Sequence, residues 1–271
     1  MTTETVADTK QIQALKACPM SQDEIYSKYK ALAAKYNAVD PQYRTLSNTW
    51  REFGLSAKAI GLLGLLAYWS SRNMDYNGYT VARITPLWIA KRLGYAEKQA
   101  SRHVKQIKAL LLELHRAELI EINRPDKQTK TQTIKIVNAE DQVNGFAKLY
   151  SPAIRTILDQ SKGFTVLYRV AIYVAIRSIT FENNKYKVMT KSPTYLAAML
   201  GLSVSTVQSH LEWLRDHNAL AWFKLIVNNR YRSVKYVYAD PVHAADLAPY
   251  VMDLWSLKPN RWTNEITKVV A

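Results

Sequence analysis

The chain has 271 residues, enough for two ordinary domains with cores of their own. Apolar residues make up 48 %, which excludes a disordered basic tail, and a single cysteine, Cys18, excludes an internal disulfide framework. The formal net charge of +15 calls for a polyanionic partner, with nucleic acid first and an anionic membrane surface as the alternative.

The excess charge is not spread evenly. Residues 51–150 carry 16 basic and 9 acidic groups and residues 151–240 carry 12 and 5, whereas 1–50 carry 6 and 5 and 241–271 carry 3 and 3. Two adjacent blocks of similar length therefore hold nearly all of it. Glycine is scarce, at 8 residues, and helical patterns dominate, so the expected class is mainly α with small β-hairpins (α+β). The polar start Met1-Thr2-Thr3-Glu4 lacks a basic segment followed by an apolar one. The most apolar run, Ala59 to Trp69, lies between Lys58 and Arg72 and is short of the roughly 20 residues that span a bilayer. A cytosolic protein with no membrane partner is expected.

Residues 1–18 are expected to be loose. Ser21-Gln22-Asp23-Glu24 reads as a capping box that starts a helix to about Ala38, with Ile25, Tyr29, Leu32 and Tyr36 on one side. An apolar helix follows from Lys58 to Ser71. Thr85 can cap the next helix, Pro86 takes its first position, Ile89 and Leu93 share one face, and Gly94 suits its left-handed end. A second helix then places Ala100, Val104 and Ile107 inside, and Lys98, Gln99, Ser101, Arg102, Lys105 and Gln106 outside. Leu119–Ile122 and Thr133–Val137 are strand-like, and the basic loop between them carries Arg124, Lys127 and Lys130.

The same series then returns. The apolar helix is Thr165 to Ile179. Ser192-Pro193-Thr194-Tyr195-Leu196-Ala197-Ala198-Met199-Leu200-Gly201 aligns with Thr85-Pro86-Leu87-Trp88-Ile89-Ala90-Lys91-Arg92-Leu93-Gly94 at an offset of 107 without a gap. Ala100/Val207, His103/His210, Val104/Leu211 and Ile107/Leu214 continue it. Ser203 can cap the second helix, where the first copy has the weaker Ala96. Ser205, Thr206, Gln208, Ser209 and Glu212 lie outside. Arg116-Ala117-Glu118-Leu119-Ile120 answers His217-Asn218-Ala219-Leu220-Ala221 at an offset of 101, so the first copy holds about six extra residues, read as a longer helix. Strands at Trp222–Val227 and Tyr231–Tyr238 close the copy around Asn228-Asn229-Arg230, with Arg230, Arg232 and Lys235 on the tip and return strand. The tail has a helical pattern from Ala244 to Trp255. Either flank forms a dimer contact or folds back on the nearest copy.

Leu200-Gly201-Leu202-Ser203-Val204-Ser205-Thr206-Val207, with Leu211, Leu214 and Asn218-Ala219-Leu220, resembles the winged helix-turn-helix of bacterial regulators of the GntR and MarR type. The first copy departs from that pattern at Tyr95, Ala96 and Ala100. Two such units in one chain, without a ligand-sensing domain, resemble in architecture the replication initiators of bacterial plasmids and phages. The resemblance implies an N-terminal helical arm (1–50), winged-helix domains at 51–145 and 150–240, and a C-terminal helical tail (241–271). It implies a sequence-specific binder of double-stranded DNA that recognises repeats at an origin, with a transcriptional or conjugation regulator as the alternative. Self-association and contact with replication machinery are the further partners it suggests. A reading of another class is a protein-interaction scaffold or helicase loader.

The DNA-contacting set expected is Lys98, Gln99, Arg102, Lys105, Gln106, Ser203, Ser205, Thr206, Gln208 and Ser209 on the second helices, and Arg124, Lys127, Lys130, Arg230, Arg232 and Lys235 on the hairpins. His103 and His210 are expected to pack or touch phosphate rather than bind metal. Trp88 and Tyr195 are expected to pack on the first helix of each copy. There is no P-loop, H-E-x-x-H or G-x-S-x-G pattern, no His-x-His pair and no two-metal carboxylate cluster, so no enzymatic activity, cofactor, metal or small-molecule ligand is expected.

Overall fold

The computed structural model describes residues 22–37, 42–73, 78–122, 132–137, 143–180, 184–228, 234–247, 249–250, 253 and 265–270. The protein is mainly helical with small antiparallel sheets. In chain order, α1 (Gln22–Asn37) precedes β1 (Tyr43–Ser47) and a 3-10 turn (Asn48–Glu52). Then come α2 (Ala57–Trp69), β2 (Ser71–Asn73), β3 (Gly78–Ile84), α3 (Pro86–Arg92), α4 (Glu97–Arg116), β4 (Ile120–Ile122) and β5 (Gln132–Ile136). A linking section holds β6 (Phe146–Tyr150) and α5 (Ser151–Gln160). The second series is α6 (Phe164–Ile179), β7 (Val188–Met189), α7 (Pro193–Leu200), α8 (Val204–Asp216), β8 (Ala221–Asn228) and β9 (Val234–Ala239), followed by a 3-10 turn (Pro241–Asp246) and β10 (Glu265–Val270).

Helix starts follow local chemistry. Ser56 Oγ accepts the Ala59 N–H at α2, and Thr85 Oγ1 accepts the Trp88 N–H at α3, with Pro86 in the first turn. Ser203 Oγ accepts the Thr206 N–H at α8, while Ala96 supplies no side-chain bond at α4. Ser21, the expected cap of α1, lies outside the described residues, and the helix begins at Gln22.

The C-terminal ends of α4 and α8 match bond for bond. Glu118 and Asn218 both have positive φ, 56° and 55°. The Leu119 and Ala219 N–H groups reach back to the Leu114 and Leu214 carbonyls. Glu118 therefore answers Asn218, an offset of 100 rather than the expected 101. The first copy holds seven extra residues, as the lengths of α4 and α8, 20 and 13, also require.

The two series share one strand order. β3, ahead of the first capped helix, pairs with β5, which pairs with β4; β7 pairs with β9, which pairs with β8. Each sheet gains one more strand. β2 extends the first on β3, and β10 extends the second on β8, so the sheets read β2-β3-β5-β4 and β10-β8-β9-β7. β1 and β6 form a separate pair with Tyr43 opposite Tyr150.

The chain divides into two compact units, and not at the expected domain boundary near 145–150. One unit holds residues 40–182 and 193–220, which is the whole first copy together with helices α6, α7 and α8 of the second. Its core is the face between α2 and α6. A Cβ on Gly61 would stand 2.6 Å from the Leu167 carbonyl carbon and 2.8 Å from its Cα, and closer still to the carbonyl oxygen. A Cβ on Gly64 would meet Val174 Cγ2 at 2.8 Å and Val170 Cγ1 at 2.9 Å. Gly61 lets the helices touch backbone to backbone, Gly64 makes room for the Val170 and Val174 side chains, and α2 is buried from Ala59 through Ala67. Arg177 of α6 is 1 % exposed; its Nε donates to the Lys148 carbonyl of β6, and its guanidinium faces the Tyr150 ring at 5.2 Å.

The other unit holds residues 1–39, 183–192 and 221–271. Tyr29 and Ala33 of α1 join Ala221, Phe223, Val237, Ala239, Ala244 and Leu247 in one apolar cluster. The Tyr29 hydroxyl donates to the Trp222 carbonyl at 3.0 Å. Both flanks thus fold back on the strands of the second copy. The expected helical tail over 241–271 is corrected in part. Residues 247, 249–250 and 253 are helical, but Glu265–Val270 is a strand paired with β8. Ile266, Thr267, Val269 and Val270 are β-branched, and the β8 edge offers an unpaired ladder to them.

Candidate nucleic-acid interface

The apolar stripe of α4 fixes which way its polar face turns. Ala100, Ile107, Leu110, Leu111 and Leu114 are buried, which leaves Lys98, Gln99, Ser101, Arg102, Lys105 and Gln106 exposed. Lys98, Arg102 and Lys105 follow one another at helical spacing and form a stripe of positive charge. None of the three makes an ion pair among the described residues. The acid nearest the start of the helix, Glu97, is already held by Lys91 at 2.6 Å, and that hydrogen bond lowers its pKa. Gln106 Oε1 lies 3.4 Å from His103 Nδ1.

On α8 the arrangement is polar and uncharged at its start. Ser203 Oγ lies 3.0 Å from Ser205 Oγ and 2.7 Å from Thr206 Oγ1, besides accepting the Thr206 N–H. The hydroxyls of Ser203 and Thr206 thus serve the helix cap first. Ser205 and Ser209 are exposed and Gln208 is half-buried, with Val207, Leu211 and Leu214 buried beneath them. Glu212 is exposed farther along the helix.

The hairpin residues divide differently. Arg124, Lys127 and Lys130 lie outside the described residues, between the ends of β4 and β5 at Ile122 and Gln132. Arg230 and Arg232 also lie outside them. Lys235 is on β9, where its backbone pairs opposite Leu225. The structure thus gathers Lys98, Gln99, Arg102, Lys105 and Gln106 on one face of α4, and Ser203, Ser205, Thr206, Gln208 and Ser209 along α8.

Both histidines pack. The His103 ring stacks on Tyr95 at 4.0 Å and meets Phe164 edge-on at 5.2 Å. The His210 ring stacks on Tyr168 at 5.9 Å, and burial together with the Arg169 charge lowers its pKa. Trp88 meets Trp69 of α2 edge-on at 5.1 Å, but Tyr195 is 38 % exposed, unlike its counterpart. Sequence reasoning overlooked Arg92, exposed in the last turn of α3 with its guanidinium 5.1 Å from the Trp88 ring centre. Its place one turn ahead of the basic helix was the available signal. Among the described residues no group of His, Cys, Asp and Glu side chains is arranged to hold a metal ion, and no helix is long and apolar enough to cross a membrane.

No protein-family model matches the chain, and no curated protein is significantly similar to it.

Proposed function

We propose that this chain is a sequence-specific double-stranded-DNA-binding protein built from two tandem winged-helix units, acting without catalysis. The observation that carries the reading is the stripe Lys98, Arg102 and Lys105, exposed and without ion pairs among the described residues, on the second helix of a capped helix-turn-helix. Support also comes from the repeated order of helix, strand, helix, helix, strand, strand, with the first strand paired to the third in each copy. That order is what a winged helix requires, with the second helix offered to a major groove and the hairpin to the neighbouring backbone. Phosphate contacts from α4 set affinity and salt dependence, and the polar face of α8 reads base edges. The biological role we assign is replication initiation at a plasmid or phage origin; promoter control would use the same contacts.

Selection of bound fragments from random duplex DNA, at an ionic strength of about 0.15 M, tests the proposal. Recovery of one sequence motif is expected. Recovery of fragments with no common motif overturns it, and favours a scaffold that binds proteins.

A further inference from the structure

Both reading helices are fastened to the same short stretch of α6. On the α4 side the Gly163 N–H donates to the Leu93 carbonyl at 2.6 Å, and the Phe164 N–H donates to the Tyr95 hydroxyl at 3.1 Å. These bonds tie the turn Leu93-Gly94-Tyr95, which aims α4, to the first residues of α6. The fit around them is close. Gly163 has φ +67°, and a Cβ there would stand 2.8 Å from the Tyr95 hydroxyl oxygen and 2.9 Å from its Cζ. At Gly94 the nearest atom to a Cβ would be Lys162 Cγ, at 3.2 Å. His103, on α4 itself, closes the stack against Tyr95 and Phe164.

On the α8 side the grip is one turn farther along α6. Tyr168 stacks on His210, and the Arg169 guanidinium lies 3.5 Å from the Trp213 ring centre while donating to Ser161 Oγ. Lys58 Nζ sits between the two grips, 5.0 Å from the Phe164 ring centre and 5.5 Å from that of Tyr168. His103 and His210 are equivalent positions of the two copies, so the same point of each reading helix is anchored to neighbouring turns of one helix, about 5.4 Å apart along its axis. Among the described residues the equivalent turn of the second copy is not clamped in this way: a Cβ on Gly201 would meet nothing within 4 Å.

We infer that α4 and α8 are held in one fixed register by the clamp of Leu93, Tyr95 and His103 on Gly163 and Phe164, so that the protein reads a bipartite DNA site of invariant spacing. Tyr95, Gly163 and Phe164 are positioning residues in this scheme. Because both helices are tied to one helix, they cannot follow half-sites moved apart by a further helical turn, about 34 Å. The inference rests on the reading of the chain as a duplex-DNA binder.

The test uses the full chain and the duplex recovered by selection, with one to ten base pairs inserted between its two halves. Affinity is expected to fall by about tenfold or more at every insertion, the loss of at least one base-specific contact, and not to recover at ten. Tyr95→Phe removes the acceptor of the Phe164 N–H and keeps the ring; Gly163→Ala strains the backbone and presses on that ring. Each is expected to narrow the difference between native and inserted spacing while leaving affinity for one isolated half unchanged. Should Gly163→Ala fail to fold by circular dichroism, Tyr95→Phe decides. Tolerance of insertions, or variants that discriminate spacing as well as the parent, overturns the inference and leaves DNA binding intact. So does equal affinity for one half-site and the whole. Failure to select any duplex overturns both readings.

Discussion

Gly61→Ala places a methyl group where α2 meets the backbone of α6. The new carbon would stand 2.6 Å from the Leu167 carbonyl carbon and closer to its oxygen, so the helices must part by roughly 1 Å before ordinary contact is restored. A gap of that size forfeits a quarter to a half of the dispersion attraction along the face, and over-packing a core costs about 1–3 kcal/mol. The obstacle is main chain, so the upper end applies. Alanine's better helix propensity returns about 1 kcal/mol, leaving a net loss of about 2 kcal/mol. Gly64→Ala is the internal control. Its new methyl meets the Val170 and Val174 side chains at 2.9 and 2.8 Å, with Leu149 Cδ1 at 3.9 Å, so side chains rather than main chain must give way and the loss is smaller. Urea denaturation followed by circular dichroism measures both, as shifts in midpoint at constant slope. If Gly64→Ala is the more damaging, or if Gly61→Ala is as stable as the parent, the backbone contact between α2 and α6 does not exist as described.

Removing the charge stripe, by Lys98→Ala, Arg102→Ala and Lys105→Ala together, is expected to flatten the dependence of log affinity on log salt by about 2.7, three phosphates' worth. Between 50 and 200 mM salt the triple variant then loses about 40-fold less affinity than the parent; an unchanged slope in filter binding or fluorescence anisotropy removes α4 from the interface. Glu118→Gly is expected to stabilise the protein by about 1 kcal/mol, because a non-glycine residue there holds a left-handed conformation; a lower melting temperature speaks against the helix end described. His210 has a folded pKa below its ordinary value, so the neutral ring is favoured in the folded state. Its contribution is full above the unfolded value, about 6.5, and is lost as pH falls through the folded one. Thermal melts from pH 8 to pH 5 should therefore decline less steeply in His210→Gln than in the parent, and parallel profiles would contradict the assignment.

Local chemistry made the helix-turn-helix segments legible. Thr85-Pro86 and Gly94 mark both ends of α3, Ser203 marks the start of α8, and the stripe through Ala100 and Ile107 orients α4. What escaped depends on partners distant in sequence. β1 and β6 are five residues each and pair across about a hundred residues of chain, with no turn signal between them. β10 reads as a strand only once β8 offers an edge. The partition of the chain was hidden for the same reason, since Gly61 and Gly64 look like interruptions in a helix until α6 is laid against them. The candidate interface was legible in position, as a face of α4 and a face of α8. The claim of Ser203 and Thr206 on each other's hydroxyls was visible only as a capping signal. The fastening of His103 to Tyr95 and Phe164 joins two copies 107 residues apart, which periodicity within either copy does not reveal.

The most direct measurement is the ratio of affinities for the selected duplex and for a scrambled duplex of equal length, titrated at about 0.15 M salt with the full chain. A sequence-reading protein should favour its site by about 10³-fold or more. A ratio near one, with both duplexes bound only through salt-sensitive contacts, would show a basic protein that holds DNA without reading it.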